Sequence, residues 1–173
     1  MSDWTVPLLA RTGEPVAAGE RETLDGLLEW HRATLVWKCA GLTGAQLAQR
    51  PVPASALSLL GLVRHLTDTE RAWFRRRVGG QGLPDEYGRP DRPEAAFDDT
   101  DPAEAEADLA RLAAEWELCR EAVAGVPLDR TFDHEPRGRL SVRWVYGHMI
   151  AEYARHLGHA DLLRESIDGV TGE

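Results

Sequence analysis

The segment HMIAEYARHLGH, residues 148–159, holds three of the chain's six histidines together with a glutamate. His148, Glu152 and His156 follow at four-residue intervals, and His159 comes three positions later. In an α-helix turning about 100° per residue, these four side chains point within an arc of roughly 80°. The apolar residues of the same stretch, Val145, Met149, Tyr153, Ala160 and Leu163, border and overlap that arc. The polar cluster therefore runs along the edge of a core-facing stripe. Imidazole and carboxylate groups in such a place cost free energy unless they are paired or bound. One divalent cation resolves that cost for several groups at once, and a carboxylate and an imidazole one turn apart can share it.

Two readings stay open on spacing alone: a histidine-rich polar helix face, or half of a metal site completed from a facing helix. His65 is the candidate to complete it, because its neighbours Leu62, Val63 and Leu66 belong to an apolar helix face. His31, beside Trp30, and His134, in an expected loop, read as ordinary structural histidines. Two histidines and a carboxylate leave open positions on an ion, an arrangement zinc favours in catalytic sites, while nickel, manganese and iron accept the same donors.

Four long periodic segments would have to position these groups. The first spans Glu20–Leu42, with Gly41 as its stop; Thr43 then caps a short helix ended by Pro51 and Pro53. The second runs Ser58–Val78, with Leu59, Leu62, Val63, Leu66 and Trp73 as its stripe and Gly79-Gly80 as its end. Asp101-Pro102-Ala103-Glu104 opens the third, which continues to about Ala124. Ser141 caps the fourth, which ends before Gly169. Residues 79–100, rich in Pro, Gly and Asp, read as a long crossover loop, and loops of that length are often functional. Residues 126–140 read as irregular. With no convincing strand, the expectation is an all-α fold: a four-helix bundle, up-down with one long crossover, forming a single domain over residues 1–173.

Composition narrows the function classes. A net charge of −9 disfavours nucleic acid or an anionic membrane as the main partner. The basic run Arg75-Arg76-Arg77 reads as a solvated helix end. Cys39 and Cys119 are too few for a disulfide framework and lack metal-pair spacing, so reduced core thiols in the cytoplasm are expected. The N-terminal MSDWTVPLLA makes a poor signal peptide, and no apolar run is long enough to cross a bilayer. Basic charge is almost wholly arginine, which together with abundant Ala and Gly points to a high-GC bacterial source.

The segments SALSLLGLVRHLTDTERAWF (residues 55–74) and RWVYGHMIAEYARHLGHADLLRESIDGVTG (residues 143–172), with HRATLVWKCAGL (residues 31–42), resemble the DUF664 branch of the DinB/YfiT-like superfamily. The resemblance implies a four-helix bundle holding a divalent metal through one histidine of the second long helix and two ligands of the fourth. On this chain those positions are His65, Glu152 and His156. Many members have histidine where Glu152 stands, whereas the mycothiol-dependent maleylpyruvate isomerase resembles this chain in using glutamate. HLGH at 156–159 stands where many relatives read His-Arg-Gly-Gln, so His159, and with it His148, is expected to line the site or support it from behind.

The resemblance further implies a metal-dependent S-transferase that joins a low-molecular-weight thiol, mycothiol as co-substrate, to an electrophilic small molecule. Metal charge would deprotonate the incoming thiol, and no cysteine of the protein is needed as nucleophile. A metal-dependent hydrolase and a non-catalytic, stress-associated metal-binding bundle are the alternatives. A homodimer is a further expectation, since bundles often pair exposed apolar strips.

Overall fold

The computed structural model describes residues 4–11 and 13–172. The chain is mostly helical. Helix α1 spans Glu20–Cys39, α2 Gly44–Leu47 and α3 Leu59–Glu70; α3 runs on without a break into a π-helical segment, Arg71–Val78. Helix α4 is the short Ala95–Asp98, and a single 3₁₀ turn, Pro102–Glu104, leads into α5, Ala105–Val123. Strands β1 (Thr131–His134) and β2 (Gly138–Ser141) form an antiparallel hairpin that feeds directly into α6, Val142–Asp168. No described helix is long and apolar enough to cross a membrane.

The termini follow from local chemistry. Thr43 and Gln46 form a reciprocal capping box at α2. The Ser58 hydroxyl accepts from Gly61 N at 3.0 Å, and that of Ser141 from Trp144 N at 3.1 Å, each satisfying an amide with no partner inside its helix. Asp101 accepts from Ala103 N at 2.9 Å, although the turn it starts is 3₁₀. Gly41 and Gly169 take positive φ of 79° and 77°, letting the chain leave α1 and α6 in the left-handed conformation.

Helix α1 packs along α6, and α3 lies against α5 and α6. Between them sits a core of Leu35, Leu59, Leu62, Leu66, Leu112, Met149 and Tyr153, all fully buried. A polar network crosses that core. Arg32 grips Glu70 with two bonds of 2.7 and 2.6 Å. The Tyr153 hydroxyl donates to the same carboxylate at 2.9 Å and accepts from Trp116 Nε1 at 3.0 Å. Geometry this complete is what lets a buried ion pair persist. Cys39 and Cys119 are free and buried, and burial pushes both thiols up, that of Cys39 to about 12, so both are inert packing residues.

Three sequence-based expectations are corrected. Residues 131–140, within the stretch 126–140 expected to be irregular, form with Ser141 the hairpin, with Phe132 opposite Leu140 turning apolar side chains inward. The 79–100 crossover is not one loop. It contains α4 and is tied to α3 through Asp68, whose carboxylate accepts from the backbone amides of Glu86, Tyr87 and Gly88. The arginine run is not a solvated helix end: Arg75 bonds Glu115 at 3.0 Å, Arg76 bonds Asp85 at 2.7 Å, and Arg77 lies over the Trp73 ring.

Candidate metal centre

The middle of α6 turns Glu152 and His156 toward α3, where His65 faces them. The Glu152 Oε1 atom lies 3.3 Å from His65 Nε2 and 3.2 Å from His156 Nε2. The two imidazole rings meet edge to face, with centroids 4.8 Å apart. One ligand atom from each of the three residues falls within a 4.8 Å span, and this is the cluster of metal-capable groups found among the described residues. His156 is buried, and His65 and Glu152 are partly so.

The surroundings keep these groups in the forms a cation needs. Burial works against ionised Glu152, but hydrogen bonds and charge from His65 and His156 outweigh it and hold the carboxyl below its usual range. Burial, reinforced by the neighbouring His65, lowers His156 to about 4, so its imidazole is neutral at pH 7. A neutral imidazole and an ionised carboxylate are the ligating states. The donor set of two nitrogens and one oxygen therefore fits a borderline divalent ion.

Neighbours orient the three. His159 Nδ1 sits 3.3 Å from His156 Nδ1, so one of those nitrogens carries the proton between them, while His156 Nε2 faces Glu152. Arg155 donates to the other oxygen of Glu152 at 3.0 Å. Phe97 of α4 stacks on His65 with ring centroids 5.2 Å apart. That close approach depends on Gly61, one turn before His65 on α3, because a Cβ there would meet the Phe97 ring at 2.8 Å.

His148 stands apart from the triad. It stacks on Trp144 at 4.9 Å and meets Trp73 edge to face at 4.7 Å, and burial lowers its pKa. His134, expected in a loop, lies on β1 and stacks on Trp73 at 5.2 Å. His31 bonds the Leu27 carbonyl at 2.7 Å and packs on Trp30, as expected of a structural histidine. Sequence reasoning missed the cluster of Trp73, Trp144 and Arg137 beside the centre. Its one visible signal was the i, i+4 pair Trp144 and His148, which share a helix face. A cavity of about 640 Å³ opens between Leu28, Phe74, Val123 and Tyr146, but no triad residue lines it. The metal-capable groups converge elsewhere, between α3 and α6.

The chain is mostly helical, with two histidines and a glutamate that could hold a metal ion meeting between α3 and α6. Residues 23–169 match the family described as mycothiol-S-transferase, and the chain belongs to that family. No curated protein matches it. Among solved structures, it is similar to one described as the conserved protein of locus from Enterococcus faecalis. The two share 18% sequence identity, the match covers 89% of this chain and all of the other, and the TM-score is 0.66. That likeness concerns the fold alone.

Proposed function

We propose that this chain is a divalent-metal-dependent S-transferase that joins a low-molecular-weight thiol, mycothiol, to an electrophilic small molecule. The observation that carries the reading is the meeting of His65, Glu152 and His156 within 4.8 Å across two helices, in a chain that belongs to the mycothiol-S-transferase family. The four long helices then act as an up-down bundle, residues 1–173 as one metal-binding domain, and zinc as the first-choice ion.

His65, Glu152 and His156 would hold the ion, which when bound supplies positive charge that lowers the pKa of a thiol at its open position. Glu152 contributes the one formal negative charge among the ligands. With an ion held at His156 Nε2, His159 Nδ1 would accept the proton of His156 Nδ1 and support the ring from behind. Phe97, stacked on His65, brings apolar surface against the triad. In the overall reaction the thiol S–H bond and the bond from the electrophilic carbon to its leaving group break, a carbon–sulfur bond forms, and the proton and the leaving group depart to solvent.

The test is elemental analysis of the purified protein, followed by incubation with a reactive electrophile and a panel of cellular thiols. A thioether formed faster with mycothiol than without protein supports the reading. Product from water alone favours the hydrolase. Tight metal binding without turnover of any thiol favours the non-catalytic role.

A further inference from the structure

One turn of α6 before Glu152 lies a cluster of rings and guanidiniums that includes none of the three metal-capable residues. Trp73 comes from the π-helical segment, Trp144 and His148 from α6, and His134 from β1. Trp73 lies within 5.3 Å of the other three ring centroids. Trp144 and His148 stack nearly parallel, at 9°, and Trp144 is 36% exposed. Two cations sit on this platform: Arg77, with Cζ 4.5 Å from the Trp73 centroid, and Arg137 at the hairpin tip, 5.5 Å from Trp144 and 5.9 Å from Trp73.

Arg77 donates to the Ala72 carbonyl at 2.9 Å. Neither guanidinium makes an ion pair with a carboxylate among the described residues, and Asp85, whose charge Arg77 feels, is bonded to Arg76. Burial first, and then the like charges of Arg76 and Arg137, lowers the pKa of Arg77. Beside it, His134 Nδ1 is buried without a hydrogen-bond partner. Trp73 is 7% exposed and covered by His134 and Arg77, so it backs the cluster, and the ring surface open to a planar aromatic group is that of Trp144; the two guanidiniums favour an anion, carboxylate above all, through paired N–H donors. Four residues of α-helix advance about 6 Å, and His148 lies near enough to Glu152 to feel its charge, so the cluster adjoins the triad along α6.

We propose that Trp73, Trp144, His148, Arg77 and Arg137 form the acceptor subsite, and that it selects an electrophile built on an aromatic ring bearing a carboxylate. The assignment of this ligand as acceptor rests on the S-transferase reading; the aromatic-acid site itself does not. A probe that matches it is 4-(chloromethyl)benzoate: the thiol sulfur forms a bond to the benzylic carbon, the carbon–chlorine bond breaks, and chloride and a proton leave.

Binding is tested by calorimetry with 2-naphthoate and its neutral amide, using the full chain both metal-loaded and as the His156→Ala variant. The acid is expected to bind at least tenfold tighter than the amide in both forms. Arg137→Gln, at an exposed hairpin tip, should erase that preference without changing metal content, and Trp144→Ala should weaken both ligands. Equal binding of acid and amide overturns the proposal, as does a preference that survives Arg137→Gln and Arg77→Gln together. Displacement of naphthoate by N-acetylcysteine, a thiol acid with no ring, also overturns it, because the site would then serve the thiol. If naphthoate binds as expected but 4-(chloromethyl)benzoate gives no thioether, the S-transferase reading fails while the aromatic-acid site stands.

Discussion

His65 and Glu152, 87 residues apart in the chain, meet across the α3–α6 interface with 3.3 Å between Nε2 and Oε1. His156, on the same helix as Glu152, approaches the same oxygen at 3.2 Å. Without an ion, one carboxylate oxygen accepts from two imidazoles. With one, the three atoms are already close enough to converge on it. The fold thus brings the three donors together with no ion present, and the packing of α3 against α6 determines whether they meet.

Replacing any of the three removes a ligand while leaving the helices their packing. His65→Ala, His156→Ala and Glu152→Gln are each expected to lose nearly all metal on dialysis and all metal-dependent activity. Far-UV circular dichroism should change little, because none of the three belongs to the apolar core. Glu152→Gln is the most informative, since it keeps the shape and removes only the charge. Full metal content in any of these variants overturns the ligand assignment.

His159 tests the supporting role separately. It touches His156 through the nitrogen that does not face Glu152. His159→Ala should therefore lower metal affinity by about 10–100-fold, the range for residues that orient a ligand from behind. A chelator competition titration measures this. A loss as complete as that of His156→Ala would place His159 among the ligands themselves.

The metal-free protein should lose stability as pH falls from about 6.5 toward 4. His156 is lowered to about 4 by burial and by the nearby His65. Between those values the unfolded chain binds a proton that the folded chain does not, so stability rises with pH across this window and is lost on acidification. Glu152, held below its usual range in spite of burial, adds a loss of the same sign at lower pH. Thermal melts at half-unit pH steps provide the measurement. His156→Gln should flatten the slope between pH 4 and 6.5, and an unchanged slope would assign the effect elsewhere.

The long helices were legible because their ends carry chemistry. Ser58, Thr43, Ser141, Gly41 and Gly169 each mark a boundary that the structure places within a residue or two. The His148–His159 stripe and its partner at His65 were legible for a related reason, since helical spacing fixes which side chains share a face. Other features left no such trace. A π-helical stretch widens the turn, so beyond Arg71 the 100° template no longer states where side chains point. Trp73 was recognisable as buried, yet its contacts with His148 and Trp144 depend on that widened turn. The hairpin was hidden because four-residue strands with Phe132 and Leu140 as their inward apolar residues offer too little alternation to read. Arg137 reaches the rings only because that hairpin exists.

The core network carries the strongest stability prediction. Glu70 is fully buried and receives two bonds from Arg32, itself 2% exposed, and a third from Tyr153. Glu70→Ala strands a guanidinium in the core, which costs about 3–5 kcal/mol. For a chain of this size each kcal/mol lowers the melting temperature by about 2–4 °C. Tyr153→Phe is the milder control: it removes one hydroxyl and leaves Trp116 Nε1 without its acceptor, for about 1–3 kcal/mol. Arg32→Met with Glu70→Leu removes both charges together and should recover much of the loss, because apolar replacements of similar volume are often neutral. Denaturant titrations of the three variants measure this order. A Glu70→Ala protein as stable as the parent would mean that Arg32 finds water or another carboxylate, Glu29 at 2.5 Å being the one already in reach.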